Sequence, residues 1–254
     1  MRQTQTGAGC HVRPSSDCPA GSRQQRPVRE DCAAALDRTA ERYRYCGRGA
    51  HFYVRSKLRR DPVHRDVLRL AAENHFGNVL DIGCGRGQLG IALLEAGLAT
   101  SVTGVDCQTA HLAQAERAAA ALAFRTKPLD LASGFDVPAA DTILAIDVLY
   151  QLDDDSQHRL LQAIAQAARH RVVLRLLDPG LGPRSALTVG MERLWRRISP
   201  NAGRWVNPWP VKRIAAIFEA AGYDVTVAPC WQDTPFANVL LNGRRSRPDV
   251  TSED

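Results

Sequence analysis

Asn78-Val79-Leu80-Asp81-Ile82-Gly83-Cys84-Gly85-Arg86-Gly87-Gln88-Leu89-Gly90, followed by Ile91-Ala92-Leu93-Leu94-Glu95-Ala96-Gly97, decides the fold. A short apolar run, a glycine-dense turn and an amphipathic run follow one another without a gap. That order predicts strand, tight loop and helix, the opening unit of a doubly wound α/β domain. Gly83, Gly85 and Gly87 stand at alternate positions, where they permit positive φ and let backbone approach a ligand closely. The helix that follows presents unpaired N–H groups and a partial positive charge over the loop. An adenosine-containing cofactor is the expected guest.

Two cofactor classes compete for this turn. Gly85-x-Gly87-x-x-Gly90 formally matches the dinucleotide fingerprint, so pattern alone leaves a nicotinamide reading open. The register is poor, however: counted from Gly83, the third glycine falls on Gln88. Asp81 also lies inside the strand, where an acid suits a cofactor with an ammonium group and no pyrophosphate. The block resembles the first motif of class I S-adenosylmethionine-dependent methyltransferases, hydrophobic-Asp-hydrophobic-Gly-x-Gly-x-Gly. The resemblance implies that Asp81 helps to hold the methionine end of S-adenosylmethionine, with Gly83, Gly85 and Gly87 lying against it.

Outward from this unit, apolar periodicity places a second strand at Ser101 to Asp106, a third near Phe124 to Leu129 and a fourth at Thr142 to Ile146. Strands five, six and seven are expected at Arg171 to Leu176, Tyr223 to Pro229 and Phe236 to Leu241. Asp106, at the tip of the second strand, suits a pair of hydrogen bonds from ribose hydroxyls in either cofactor class. The fourth strand ends on Asp147-Val148-Leu149-Tyr150, and ligands of open α/β sheets bind at such tips. Asp147 and Tyr150 are therefore the candidates at the reacting end. Tyr150 orients or deprotonates a phenol in this reading, although an ordinary tyrosine pKa of about 10 makes it a poor base.

Asp81, Asp106, Asp130, the Asp147 segment and the count of strands together strengthen the resemblance to class I methyltransferases. It implies a Rossmann-like seven-stranded sheet, parallel except for an antiparallel final strand. It also implies that Asp130 meets the adenine amino group and that Leu131 packs on the ring. Arg55-Ser56-Lys57-Leu58-Arg59-Arg60-Asp61-Pro62, Asp147-Val148-Leu149-Tyr150 and Thr234-Pro235-Phe236-Ala237-Asn238-Val239-Leu240-Leu241 further resemble methyltransferases of bacterial aryl polyene pigment gene clusters. That resemblance implies a small aromatic or polyene acceptor, carried on an acyl carrier protein. The family often has Gly-Lys-Leu where this chain has Ser56-Lys57-Leu58, and His where it has Tyr150. Arg55 or Lys57 is the candidate partner for the methionine carboxylate.

The domain plan has four parts. Residues 1–30 are polar and rich in Gly, Pro, Ser, Gln and Arg, and are expected to be disordered. Residues 31–75 form a helical cap, broken at Gly47-Arg48-Gly49 and restarted at Asp61-Pro62, with Asp as N-cap and Pro at the first helical position. Residues 76–243 form the methyltransferase domain. Within it, 188–210 carries Trp195, Trp205 and Trp209 in an irregular, proline-containing stretch expected as a substrate lid. Residues 244–254 form a polar tail.

Composition narrows the class further. The chain has 254 residues, 44% of them hydrophobic, and seven scattered cysteines with no C-x-x-C pair. These are read as reduced thiols of a cytoplasmic protein. No apolar run is long enough to span a membrane. The net charge of +6 is uneven: residues 1–70 carry 15 basic against 7 acidic side chains. That half leaves nucleic acid or protein open as an acceptor, although no aromatic-plus-basic reading module accompanies it. No metal-ligand spacing occurs, and a metal-free site is expected. His51, His64 and His111 are spare base candidates, expected at the surface. A nicotinamide oxidoreductase would need a pair such as Tyr-x-x-x-Lys, which the chain lacks. A cofactor-binding scaffold without turnover is a further alternative.

Overall fold

A computed structural model describes residues 25–131, 136–198 and 206–246. The N-terminal cap is built from α1 (Gln25–Arg42), a 3₁₀ turn (Tyr43–Cys46), α2 (Arg48–Arg60) and α3 (Pro62–Glu73). Gly47 makes the break between α1 and α2 with φ of 98°, a conformation that a side chain would resist. Asp61 caps α3 by accepting a hydrogen bond from the Val63 N–H at 3.2 Å, and Pro62 occupies the first turn, where its missing N–H has no intrahelical partner to lose.

The sheet domain follows as β1 (Asn78–Ile82), α4 (Gln88–Glu95), β2 (Ser101–Asp106), α5 (Thr109–Ala118), β3 (Phe124–Pro128) and β4 (Ala140–Ile146). It continues through α6 (Asp154–Ala167), β5 (Ala168–Leu177), α7 (Pro183–Ile198), α8 (Val211–Ala220), β6 (Tyr223–Pro229) and β7 (Asn238–Arg245). The strand order is β3-β2-β1-β4-β5-β7-β6. β7 runs antiparallel to both neighbours, and the other strand pairs are parallel. This is the seven-stranded Rossmann-like sheet that the sequence predicts.

Alternation along the strands sorts the core into two layers. Leu80 and Ile82 of β1, Ile143 and Ala145 of β4, and Val172 and Leu174 of β5 pack under α6 and α8. Val79, Leu144 and Val173 face the opposite way, toward α1, α3 and α4. Asp81 and Arg175 share the parity of that second set, so strand period puts both beneath the helical cap. The chain turns outward from β1 in one direction through β2 and β3, and in the other from β4. The C-terminal tips of β1 and β4 therefore flank a topological switch point, where an open sheet leaves a crevice.

The structure departs from the sequence reading at several points. Residues 25–30, expected to be disordered, belong to α1, because Pro27 falls in its first turn, where proline is tolerated; residues 1–24 lie outside the described residues. Residues 188–198, expected to be irregular, are helical in α7, which starts on Pro183. Trp209 is core rather than lid: it is buried, its Nε1–H donates to Asp154 Oδ1 at 2.7 Å, and the Arg213 guanidinium stacks 3.4 Å from its ring centre. The side chains of Trp195 and Trp205 lie outside the described residues. β7 continues past Leu241 to Arg245, whose Nη2 donates to the Ala165 carbonyl at 2.7 Å, so the polar tail starts later than expected.

Candidate active site

The crevice encloses about 460 Å³ between the strand tips and the helical cap, within the size range of small-molecule sites. Its floor is the turn after β1. Gly83 and Cys84 N–H groups both donate to the Val105 carbonyl, at 2.8 and 3.0 Å. This doubled bond pins the start of the turn to β2. Gly83, Gly85 and Gly87 adopt φ of 70°, 55° and 73°. At Gly83 a Cβ would collide with Val148, and at Gly87 with Phe124. Gly85 is different: nothing lies within 4 Å of the position its Cβ would take. Its bareness serves no packing need within the chain and leaves the backbone open to the crevice.

Asp106 braces this turn. Its Oδ2 accepts from the Gly85 N–H at 2.9 Å and its Oδ1 from the Gln108 N–H at 2.8 Å. Each carboxylate oxygen keeps a further acceptor position. Asp130 and Leu131 line the same side of the crevice, beside Leu129 and His111. Asp81 lies deeper and is almost fully buried. No basic side chain pairs with it among the described residues. Burial and the neighbouring Asp106 charge push its pKa up to about 7. Gln88, at the start of α4, has its Oε1 buried without a hydrogen-bond partner. The crevice thus holds an uncompensated carboxyl and an orphaned amide oxygen, and both call for a ligand with donors. The Cys84 thiol is pushed far up by burial and by Asp81 and Asp106, so it is not a nucleophile.

The opposite end of the crevice was not legible as a unit in the sequence. Arg175, at the tip of β5, is buried between two carboxylates. Its Nε donates to Asp147 Oδ1 at 2.7 Å, its Nη2 to Asp147 Oδ2 and its Nη1 to Asp61 Oδ1. Lys57 Nζ adds a contact to Asp61 Oδ2 at 3.2 Å. Burial opposes the Arg175 charge, but Asp147 and Asp61 outweigh it and keep the guanidinium protonated. Burial likewise works against ionised Asp61, yet Arg175 and Lys57 hold its carboxyl well below the usual range. Burial also disfavours the Lys57 ammonium, and Asp147 with Asp61 more than restores it. Two cations and two carboxylates meet here, joining the cap to the tips of β4 and β5. A signal for Arg175 did exist: it interrupts the apolar run Val172–Leu177, buried throughout, where a charge is anomalous.

Several sequence candidates move. Arg55 does not line the crevice. Tyr53 and Lys57 do, one helical turn apart, and Arg55 between them projects from another side of α2. Tyr150 also lies off the crevice: the 3₁₀ turn Leu149–Gln151 rotates it away, and its hydroxyl donates to Glu192 Oε1 at 3.5 Å. Asp147, Val148 and Gln151 face the crevice instead. Asp147 takes φ of 60°, a left-handed conformation that Asp tolerates better than most residues. His64, expected at the surface, is buried on the crevice wall. His111 also lines it, whereas His51 turns its Nδ1 to the Ala40 carbonyl at 3.0 Å. Tyr43 donates its hydroxyl to the Arg86 carbonyl and so fastens the cap to the glycine turn. Among the described residues no cluster of His, Cys, Asp and Glu has metal-binding geometry, and no helix is long and apolar enough to cross a membrane.

Residues 53–227 match a family model described as a methyltransferase domain. No curated protein sequence matches the chain. Among solved structures, magnesium protoporphyrin IX methyltransferase from Synechocystis PCC 6803 with bound SAH is similar at a TM-score of 0.58 and 22% identity, covering 87% of this chain and 99% of its own. An O-methyltransferase family protein from Burkholderia thailandensis is similar at a TM-score of 0.57 and 17% identity, over 88% of this chain and 72% of its own. The pyocyanin biosynthetic protein PhzM is similar at a TM-score of 0.55 and 20% identity, over 78% of this chain and 58% of its own.

Proposed function

The chain belongs to the methyltransferase-domain family, and we propose that it transfers the methyl group of S-adenosylmethionine to a small aromatic or polyene acceptor presented on a carrier protein. The observation that carries the cofactor assignment is Asp81: a buried carboxyl with no paired cation among the described residues, two positions before an open glycine turn. The residues present fit S-adenosylmethionine. Asp81 would receive the methionine ammonium, and Lys57 the methionine carboxylate. Asp106 would accept from the ribose hydroxyls with its remaining lone pairs. Asp130 would meet the adenine amino group, with Leu131 against the ring. Gly83, Gly85 and Gly87 supply close backbone approach. When bound, this cofactor supplies an electrophilic methyl group on a sulfonium.

The chain's own contribution is then alignment and exclusion of water. Asp147, locked by Arg175, fixes the wall at the reacting end. The helical cap, tied down through Tyr43 and Asp61, closes over the crevice. Small-molecule chemistry is supported by the names of the solved neighbours, which include a protoporphyrin methyltransferase and a pyocyanin biosynthetic protein. Delivery on a carrier is supported by Arg59 and Arg60, both exposed at the end of α2 near the crevice residue Lys57. An acidic carrier surface would dock there through charge complementarity.

Isothermal titration calorimetry with S-adenosylhomocysteine and with NADH tests the cofactor assignment. Binding of the first and not the second is expected; NADH binding with no response to S-adenosylhomocysteine would overturn it. Charge reversal at Arg59 and Arg60 is expected to weaken carrier docking, and unchanged affinity would remove the carrier.

A further inference from the structure

His64 is 2% exposed, yet it belongs to the crevice wall. Its Nδ1 lies 3.4 Å from the Asp61 carbonyl oxygen. A carbonyl can only accept, so Nδ1 carries the ring proton and Nε2 carries the lone pair. Nε2 has no hydrogen-bond partner among the described residues, and it is not one of the sealed, unsatisfied polar atoms of the interior. Because His64 lines the crevice, that lone pair is available to a group bound there. An imidazole this buried, with one nitrogen tied to backbone and the other unpartnered, is a built acceptor awaiting a donor.

The surrounding charge narrows what that donor is. Arg175 is engaged by Asp147 and Asp61, and Lys57 by Asp61; a third crevice cation, Arg86, turns to Gln114 Oε1 and the Tyr53 ring. A carboxylate has no proton to offer Nε2. A neutral hydroxyl has one, and it suits a lone pair that no group of the chain satisfies among the described residues.

On the S-adenosylmethionine reading above, we propose that His64 Nε2 seats the methyl acceptor by accepting a hydrogen bond from its hydroxyl group, which makes the reaction an O-methylation. Methylating a hydroxyl releases one proton. The oxygen's lone pair forms the new O–C bond, the S–C pair stays on sulfur, the O–H bond breaks, and the proton passes to Nε2. The positive charge thereby moves from the sulfonium to the imidazole. Burial lowers the His64 pKa to about 4, against a partial opposing pull from Asp61. The ring is therefore neutral and able to accept throughout the physiological range. A weak base suffices, because the oxygen becomes strongly acidic as the methyl group bonds to it. His64 also selects against carboxylate acceptors, whose charge its lone pair repels.

The test is nitrogen-15 NMR of the histidine rings in the full-length protein saturated with S-adenosylhomocysteine, with phenol and benzoate as probes. The His64 signal is assigned by its loss in H64Q, or in H64N if H64Q does not fold. The expected result is an unprotonated Nε2 at neutral pH that phenol moves upfield, while benzoate leaves it in place. The His111 signal, on the adenosine side, should not follow. A protonated Nε2, an Nε2 signal indifferent to phenol, an equal response to benzoate, or parallel movement of His111 would each overturn the assignment. Failure of S-adenosylhomocysteine to bind would instead strike the cofactor reading on which it rests.

Discussion

Arg175 meets Asp147 side-on, with Nε at 2.7 Å from Oδ1 and Nη2 on Oδ2, and spends its remaining nitrogen on Asp61 of the helical cap. One guanidinium therefore joins the tips of two strands to the N-cap of α3. The Arg175–Asp61 pair is nearly dry, with side chains only 5% and 13% exposed. Breaking such a group by removing one partner strands the other charge, which costs far more than the intact group contributes.

Asp61→Asn isolates the charge, because Asn retains the N-cap acceptor. Arg175 keeps its Asp147 pair in this variant, so a loss of about 1.5–3 kcal/mol is expected in urea unfolding at neutral pH, the range for a hydrogen bond to a charged group. Asp61 is held ionised by Arg175, with its folded pKa below the unfolded value. Its contribution is thus present above the ordinary carboxylate pKa of about 4. It fades only as pH falls through the depressed folded value, and the gap to the variant should close there. Unfolding curves of the two proteins that stay equally separated in strong acid would contradict this.

Asp81 behaves in the opposite sense. Its folded pKa of about 7 lies above the unfolded one, so the empty protein binds the extra proton between those values. Stability contributed by the protonated form declines as pH rises through that window. Asp81→Asn should therefore raise the melting temperature of the free protein at slightly alkaline pH. Ligand binding shows the converse. An ammonium group requires the carboxylate, so S-adenosylhomocysteine affinity should climb about tenfold per pH unit below neutrality and level off above it. Calorimetry across that range in wild type and Asp81→Asn checks both, the variant binding weakly and without the slope.

Gly83 and Gly85 should separate stability from binding. Alanine at either position pays a left-handed backbone penalty of about 1–2 kcal/mol. At Gly83 the new methyl group also strikes Val148, whereas at Gly85 it meets only open space. G83A is expected to melt lower than G85A. G85A should fold yet lose S-adenosylhomocysteine affinity by about tenfold or more, equivalent to about 1.4 kcal/mol. Thermal scans and calorimetry on the pair would show it.

Lys57→Ala and Arg55→Ala, two residues apart on α2, should diverge. Only Lys57 lines the crevice. Its loss is expected to weaken S-adenosylhomocysteine binding, while the Arg55 variant binds like wild type.

Tyr43→Phe removes the bond between the cap and the Arg86 carbonyl. A loss of about 1 kcal/mol is expected for a buried hydrogen bond. Faster amide hydrogen exchange at Gly85 and Arg86 should accompany it, because the turn loses its clamp. Unchanged exchange there would show that the turn holds itself.

The sequence alone determined the sheet and the floor of the site. Val79 to Gly90 encodes strand, turn and helix within one short span, and the strand period repeats through Tyr223–Pro229 and β7. Such signals are local: side-chain alternation, glycine conformation and proline placement act within a few residues of themselves. Asp81, Asp106, Asp130 and Asp147 were legible because strand tips are read from where apolar runs end. Only the tertiary structure decided the other wall. Asp61 and Arg175 stand 114 residues apart in the chain, and no local pattern brings a helix N-cap to a strand tip. Tyr150 was misplaced because a single 3₁₀ turn sets which of four neighbouring side chains faces the crevice. His64 reads as a surface residue in the sequence because its burial comes from the tertiary packing of α3. Periodicity fixes what each segment is, whereas the desolvation and ion pairing that make a site reactive arise only when distant segments close on one another.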